Sequence, residues 1–101
     1  MAIKNLAIKK KSAFSIGEKV FIRTVTHYLT GEITNISETI AGLGFLELKD
    51  AAWIADTGRF MNAIENGALD EVEPVTCPVR VNIGSIIDVY EWRHELPRKQ
   101  K

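Results

Sequence analysis

Apolar and polar positions alternate with a period of two along most of this chain, and the period changes once. The stretch "FSIGEKVFIRTVTHYLTGEITNIS" is rich in β-branched and aromatic residues and has no helical apolar spacing. It predicts one strand over about residues 19–26 and a second over about 28–36, joined as a hairpin. "TIAGLG" supplies the next break. "FLELKDA" then sets Leu46 and Leu48 against Glu47 and Lys49, the pattern of a half-buried third strand. In "DTGRFMNAIENGALD" the spacing becomes helical: Phe60 and Ile64 stand four apart, with Met61 and Ala63 beside them. Asp56 or Thr57 can cap its start and Gly67 its end, so a short helix is predicted within an insertion over 53–70. "EVEPVTCPVRVN" returns to extended structure, and Pro74 and Pro78, which cannot donate to a ladder, predict a bend or an edge. "SIIDVYEW" is the last strand.

The predicted order is a basic segment at 1–12 that can form a helix, three strands over 13–52, the helical insertion at 53–70, strands four and five over 71–92, and a basic tail at 93–101. Five short, mostly antiparallel strands bury both faces only by bending into a small, open barrel, so the expected class is mostly β in a single domain. Gly84 stands inside the otherwise apolar "VRVNIGSIIDVYEW". If strands four and five meet in a very tight corner there, one residue must adopt a conformation or a packing distance that a side chain forbids.

Composition narrows this picture. With 101 residues, 46% of them hydrophobic and 26% charged, the chain supports one modest core. A lone Cys77 allows neither an internal disulfide nor a cysteine-built zinc site, which fits a reducing, intracellular setting. The longest uncharged run in "MAIKNLAIKKKS" is four residues, too short for a signal peptide, and no stretch approaches a membrane span. The expectation is a soluble protein of the cytoplasm, the host's if the chain is phage-encoded. Net charge is zero but unevenly spread: residues 1–12 carry four lysines and no acid, and 93–101 carry Arg93, Arg98, Lys99 and Lys101 against Glu95. The body between, residues 13–92, holds five basic and twelve acidic residues. Clustered basic ends can contact phosphates whatever the global charge, or serve only as solvated tails.

No catalytic constellation assembles. His27 and His94 lie far apart in the chain, and "WRHELP" offers neither a second histidine at ligand spacing nor a cysteine partner. Asp88, Glu91 and Glu95 form too common an arrangement to mark an acid/base pair. The single "DTG" in "DTGRF" lacks the second aspartate that shared-proton chemistry needs, and Asp56 there reads better as a helix cap. The expectation is a non-enzyme with no cofactor and no metal.

Two groups of residues nevertheless form a recognisable pattern. The first is Val20 and Ile22, then Gly31, Glu32 and Ile33, then Leu46, Leu48, Asp50 and Ala51; the second is Val79, Val81, Gly84, Ile86 and Ile87. Together, over about residues 17–92, they resemble the Sm/LSm superfamily. The segments "RTVTHYLTG", "DAAWIADTGRF" and "EWRHELP" resemble, more closely, small Sm-like proteins of phage origin, a group without a defined function. The resemblance implies a strongly bent, five-stranded SH3-like barrel with Gly31, Leu46, Leu48, Asp50 and Gly84 as structural motif residues. It also implies a closed ring of about five to seven subunits, the fourth strand of one pairing with the fifth of the next. Ile86, Val89, Tyr90 and Trp92 would then lie at the subunit interface, where an apolar edge left open would template aggregation.

The departures from that family concern the base pocket. Ala41 and then Gly44 and Phe45 stand where the family carries an aspartate followed by Met-Asn, and Ile83 stands where it carries the corner arginine. Nucleic-acid contacts must therefore come from elsewhere. Lys9, Lys10 and Lys11 would make a basic collar when repeated around a ring. Asn82 and Ser85 at the inner rim can meet a base or phosphate, or simply satisfy turn backbone groups. His27 and Tyr28 can stack on a base or pack locally. Arg23 and Arg80 read as surface ion-pair partners, and Trp53 and Trp92 as core or interface anchors. Two readings follow: a homo-oligomeric ring that binds single-stranded nucleic acid, RNA ahead of DNA, or a non-catalytic assembly ring or adaptor that binds none. In the second, the 53–70 insertion docks a protein partner through residues such as Phe60.

Overall fold

The computed structural model describes residues 14–38 and 44–101. Lys9, Lys10, Lys11 and Ala41 lie outside the described residues. Among these residues six strands and one short helix follow in order: β1 (Lys19–Thr24), β2 (Tyr28–Glu38), β3 (Gly44–Asp56), α1 (Phe60–Asn66), β4 (Glu71–Pro74), β5 (Val79–Asn82) and β6 (Ile86–Glu91), with a 3-10 turn at Ile83–Ser85 between β5 and β6. All strand pairings are antiparallel, in the order β4-β3-β2-β1-β6, with β5 also on β3. The result is a bent, open, mostly β architecture.

Six strands rather than the expected five arise at the prolines. The single strand expected from "EVEPVTCPVRVN" is split: β4 ends at Pro74 and β5 begins after Pro78, each proline withholding a ladder N–H. Both pieces pair with β3, β5 along Phe45 to Leu48 and β4 along Ala52 to Asp56. The helical insertion is also shorter than the expected 53–70. β3 runs on to Asp56, so Trp53 belongs to a strand, and only Phe60–Asn66 is helical. Asp56 does not cap it: the helix starts after Arg59 with no side-chain cap, and Asp56 Oδ1 accepts instead from the Gly58 N–H in the preceding turn. Gly67 ends the helix at φ 73°, the left-handed conformation in which glycine avoids a Cβ clash.

The bend has a local cause. Thr30 faces Ala52 and Glu32 faces Lys49, so Gly31 alone opposes two residues, Asp50 and Ala51. Asp50 takes φ 51°, a left-handed value that aspartate tolerates better than most residues, and this bulge turns β3 sharply. A Cβ on Gly31 would lie 3.1 Å from Leu48 Cβ and 3.4 Å from Ala51 Cβ, so glycine is what lets the two strands approach. Gly84 is different. Its φ is not left-handed, and a Cβ there would meet only the end of the Asn82 side chain, at 3.3 Å. The expectation that Gly84 is sterically required is thus corrected: the corner is made by the 3-10 turn, whose N–H of Gly84 bonds Asn82 Oδ1.

The bent sheet is apolar on both faces. Val20, Ile22, Leu29, Ile33, Leu46, Leu48, Ala51 and Val81 form an inner, aliphatic core enclosed by the strands. Phe21, on the opposite face of β1, anchors an outer core with Ala52, Ile54, Ala63, Leu69, Val72 and Trp92. Phe60 and Ile64 of α1 pack onto that outer core, while Met61 points outward at 51% exposure. The half-buried Phe60 ring is set edge-on against Phe21 at 5.7 Å and Tyr90 at 5.1 Å.

The basic tail does not hang free. Trp92 Nε1 donates to the Glu95 carbonyl, His94 Nε2 meets the Ile64 carbonyl at 2.8 Å, and Arg98 donates to the carbonyls of Ala51 and Val75. Lys101 exchanges backbone bonds with Val72 and its Nζ donates to the Leu69 carbonyl. The tail therefore seals the outer core and closes the free edge of β4. Among the described residues, no strand pairs with the other edges, those of β5 away from β3 and of β6 away from β1. No helix among the described residues is long and apolar enough to cross a membrane.

Candidate functional site

The tight turn between β1 and β2 is built by one hydroxyl. Thr24 Oγ1 donates to the His27 carbonyl at 2.7 Å and accepts from the N–H groups of His27 and Thr26, at 3.0 and 3.3 Å. The Thr24 N–H also donates to the His27 carbonyl, so the backbone of His27 is tied at both ends. Its imidazole Nδ1 lies 2.7 Å from Thr26 Oγ1. The ring is thereby presented at the surface by a turn with little freedom left to lose.

A groove of about 140 Å³ runs from this turn to β5 and the 3-10 turn, lined among others by His27, Thr26, Arg80, Asn82 and Ser85. Three of the sequence-predicted residues, His27, Asn82 and Ser85, thus share one site. Asn82 spends its Oδ1 on the Gly84 N–H at 2.9 Å, and Ser85 Oγ donates to the Asn82 carbonyl at 2.8 Å. Both therefore satisfy turn backbone groups, which fixes the wall of the groove. Arg80 reaches into solvent, its side chain 75% exposed and only 4.0 Å from Glu47 at closest approach. An ion pair that loose contributes little and leaves the guanidinium available.

Tyr28 does not join this groove. Its ring packs 5.8 Å from Phe21 at the margin of the outer core, and it lines a separate cavity that His27 also borders. The side chains expected at a subunit interface are likewise engaged within the chain. Trp92 is 2% exposed in the outer core, stacked on Phe21 at 6.0 Å; Tyr90 packs on Phe60, and Ile86 and Val89 pack on the inner core. What β6 offers a second chain is its backbone edge and the exposed Ile87.

Trp53 also stands beside His27. Their ring centroids are 5.0 Å apart at an interplanar angle of 37°, and Trp53 is 51% exposed. Trp53 faces Leu29 across the ladder and stands beyond Leu48, the last residue of β3 that β5 covers. The alternation in "AAWIAD" carries the signal, since Ile54 is buried in the outer core and Trp53 must point the other way. Assigning these residues to a helical insertion hides it.

Next to the turn, Val25 and Ile87 are 72% and 61% exposed and help to line a shallower cavity of about 450 Å³ with Arg23, Tyr28 and Ile54. Ile87 is displaced outward because β6 bulges there, Arg23 pairing Asp88 while Thr24 pairs Ile86. Arg23 is not free: Nε donates to Asp88 Oδ1 at 2.6 Å and its Nη2 bonds Oδ2. These hydrogen bonds hold the Asp88 carboxyl below its ordinary range, against partial burial and with help from the Tyr90 hydroxyl. The same pair keeps the Arg23 guanidinium charged at every working pH. Among the described residues, no cluster of His, Cys, Asp and Glu is placed to hold a metal ion. No protein-family model matches this chain, and no curated protein or solved structure matches it.

Proposed function

We propose that the chain is an Sm-like subunit that assembles edge to edge into a homo-oligomeric ring and binds single-stranded nucleic acid, RNA ahead of DNA. The observation that carries this reading is the position of the groove. It opens along β5, one of two edges that no strand covers among the described residues, so pairing β5 of one subunit with β6 of the next would repeat the groove as a continuous rim. The third edge, on β4, is closed by Lys101 and would stay outside the assembly. The resemblance to Sm-like chains supports the same arrangement. On the described body Arg23 and Arg93 are paired with carboxylates, while the fold holds Arg98 and Lys101 against backbone carbonyls. In this reading the clustered Lys9, Lys10 and Lys11 supply the long-range attraction to phosphate, with Arg80 at the groove.

The test is native mass spectrometry of protein purified at low salt without nuclease. A closed oligomer carrying nucleotide mass is expected, with affinity that falls steeply as salt rises and falls again when Lys9, Lys10 and Lys11 become alanine. A monomer would overturn the ring, and salt-insensitive or absent binding would overturn the nucleic-acid role. A second reading, an assembly ring or adaptor without nucleic acid, is favoured by the exposed apolar pair Val25 and Ile87. It is the outcome indicated by a clean oligomer that retains no nucleotide.

A further inference from the structure

We infer that Trp53 and His27 form a stacking site for one nucleobase, the strand then running from these rings into the groove lined by Arg80, Asn82 and Ser85. The inference rests on the nucleic-acid reading above and adds a residue, Trp53, that the sequence pattern does not assign to binding.

Four features carry it. The first is an indole left half exposed on β3, at 51%, in a chain that buries its other tryptophan to 2%. The second is its neighbour: the imidazole of His27 leans over it at 5.0 Å and 37° rather than closing flat upon it, which leaves indole surface open to a further ring. The third is rigidity. His27 is fixed through Thr24 Oγ1 and Thr26 Oγ1, and Trp53 sits within a strand paired on both sides, to Leu29 and to Glu73. A platform ordered before binding loses little conformational freedom when a base arrives. The fourth is what lies alongside. His27 also lines the groove that holds the Arg80 guanidinium, so an aromatic face and an uncommitted cation stand along one path, the pairing that single strands use for base and phosphate. An apolar protein partner would find Arg80 and the polar turn residues on that path; a nucleotide uses both.

The chain reports on this site directly, because it has two tryptophans and only Trp53 is open to solvent. Short oligouridylate and oligoadenylate RNAs, dye-labelled, would be titrated into the full-length protein at low salt, with anisotropy giving affinity and intrinsic fluorescence giving the environment of Trp53. Binding is expected to quench the indole emission. Trp53→Ala is expected to weaken binding about tenfold or more, and Trp53→Phe by less, as fits the usual contribution of one base–aromatic stack. Circular dichroism would confirm that both variants keep the fold, as their exposed position predicts. Wild-type anisotropy binding without quenching, or unchanged affinity in Trp53→Ala, overturns the stacking site while the nucleic-acid reading stands. No binding by the wild-type protein overturns both.

Discussion

The two faces of the sheet hold apolar cores of different construction. The buried residues of the inner one are aliphatic and all stand on strands, with Phe14 and Ile83 packed at its margin, and it follows the bend at Gly31 and Asp50. The outer one is aromatic, with Phe21 meeting Tyr28, Phe60 and Trp92 and Phe60 meeting Tyr90, and α1 and the tail cover it. It also has a polar rim: Arg23 bonds Asp88, the Tyr90 hydroxyl bonds Asp88, and the guanidinium lies 5.8 Å from the Phe60 ring centre. The lesson is that one face carries the fold while the other fastens peripheral segments to it.

The largest effect should separate the two faces. Leu48→Ala removes a fully buried side chain from the inner core and is expected to cost about 2–5 kcal/mol, lowering amide-exchange protection in every strand. Phe60→Ala is expected to cost less, about 2 kcal/mol from lost burial, and to expose the amides of α1 and the tail while β1, β2 and β3 remain protected. Uniform loss of protection in both variants would show that the two cores melt as one.

The next contrast is between two glycines. Gly31→Ala places a methyl 3.1 Å from Leu48 Cβ at the bend and should cost about 1–3 kcal/mol in urea unfolding. Gly84→Ala meets only a side-chain end and should stay within about 0.5 kcal/mol. A large loss at Gly84 in the isolated chain would refute the steric account given for the corner.

The smallest effect concerns the polar rim. Asp88 has its carboxyl held below the ordinary range, so the Arg23 pair contributes stability that is fully present above the unfolded value and is lost as the pH falls through the native one. Arg23 stays protonated throughout. Thermal melts of the wild type should therefore show an acid limb that Asp88→Asn flattens, with the pair partly exposed and its contribution modest. An unchanged limb would remove Asp88 from the acid response.

Much of the fold was legible because alternation writes itself into sequence. Leu46 and Leu48 against Glu47 and Lys49 gave a face, Gly67 a helix end, and Pro74 and Pro78 a break. The candidate site was legible in part: His27, Asn82 and Ser85 do share a groove, whereas nothing local showed that Trp53 would stand half exposed beside His27. A bulge at Asp50 and Ala51 shifts the phase of β3, and no local pattern shows which aromatic then meets a second core and which meets water.

What the sequence by itself determined is the set of elements, since strand period, turn residues and proline positions act over a few neighbours. Only the tertiary structure decided where the charges and aromatic rings ended up. Arg98 and Lys101, basic residues in a terminal run, bond the carbonyls of Ala51, Val75 and Leu69 because the tail must seal an outer core assembled from distant segments. Trp92 is buried and Trp53 is exposed for the same reason: burial depends on what the rest of the chain lays over a position, which is a long-range quantity.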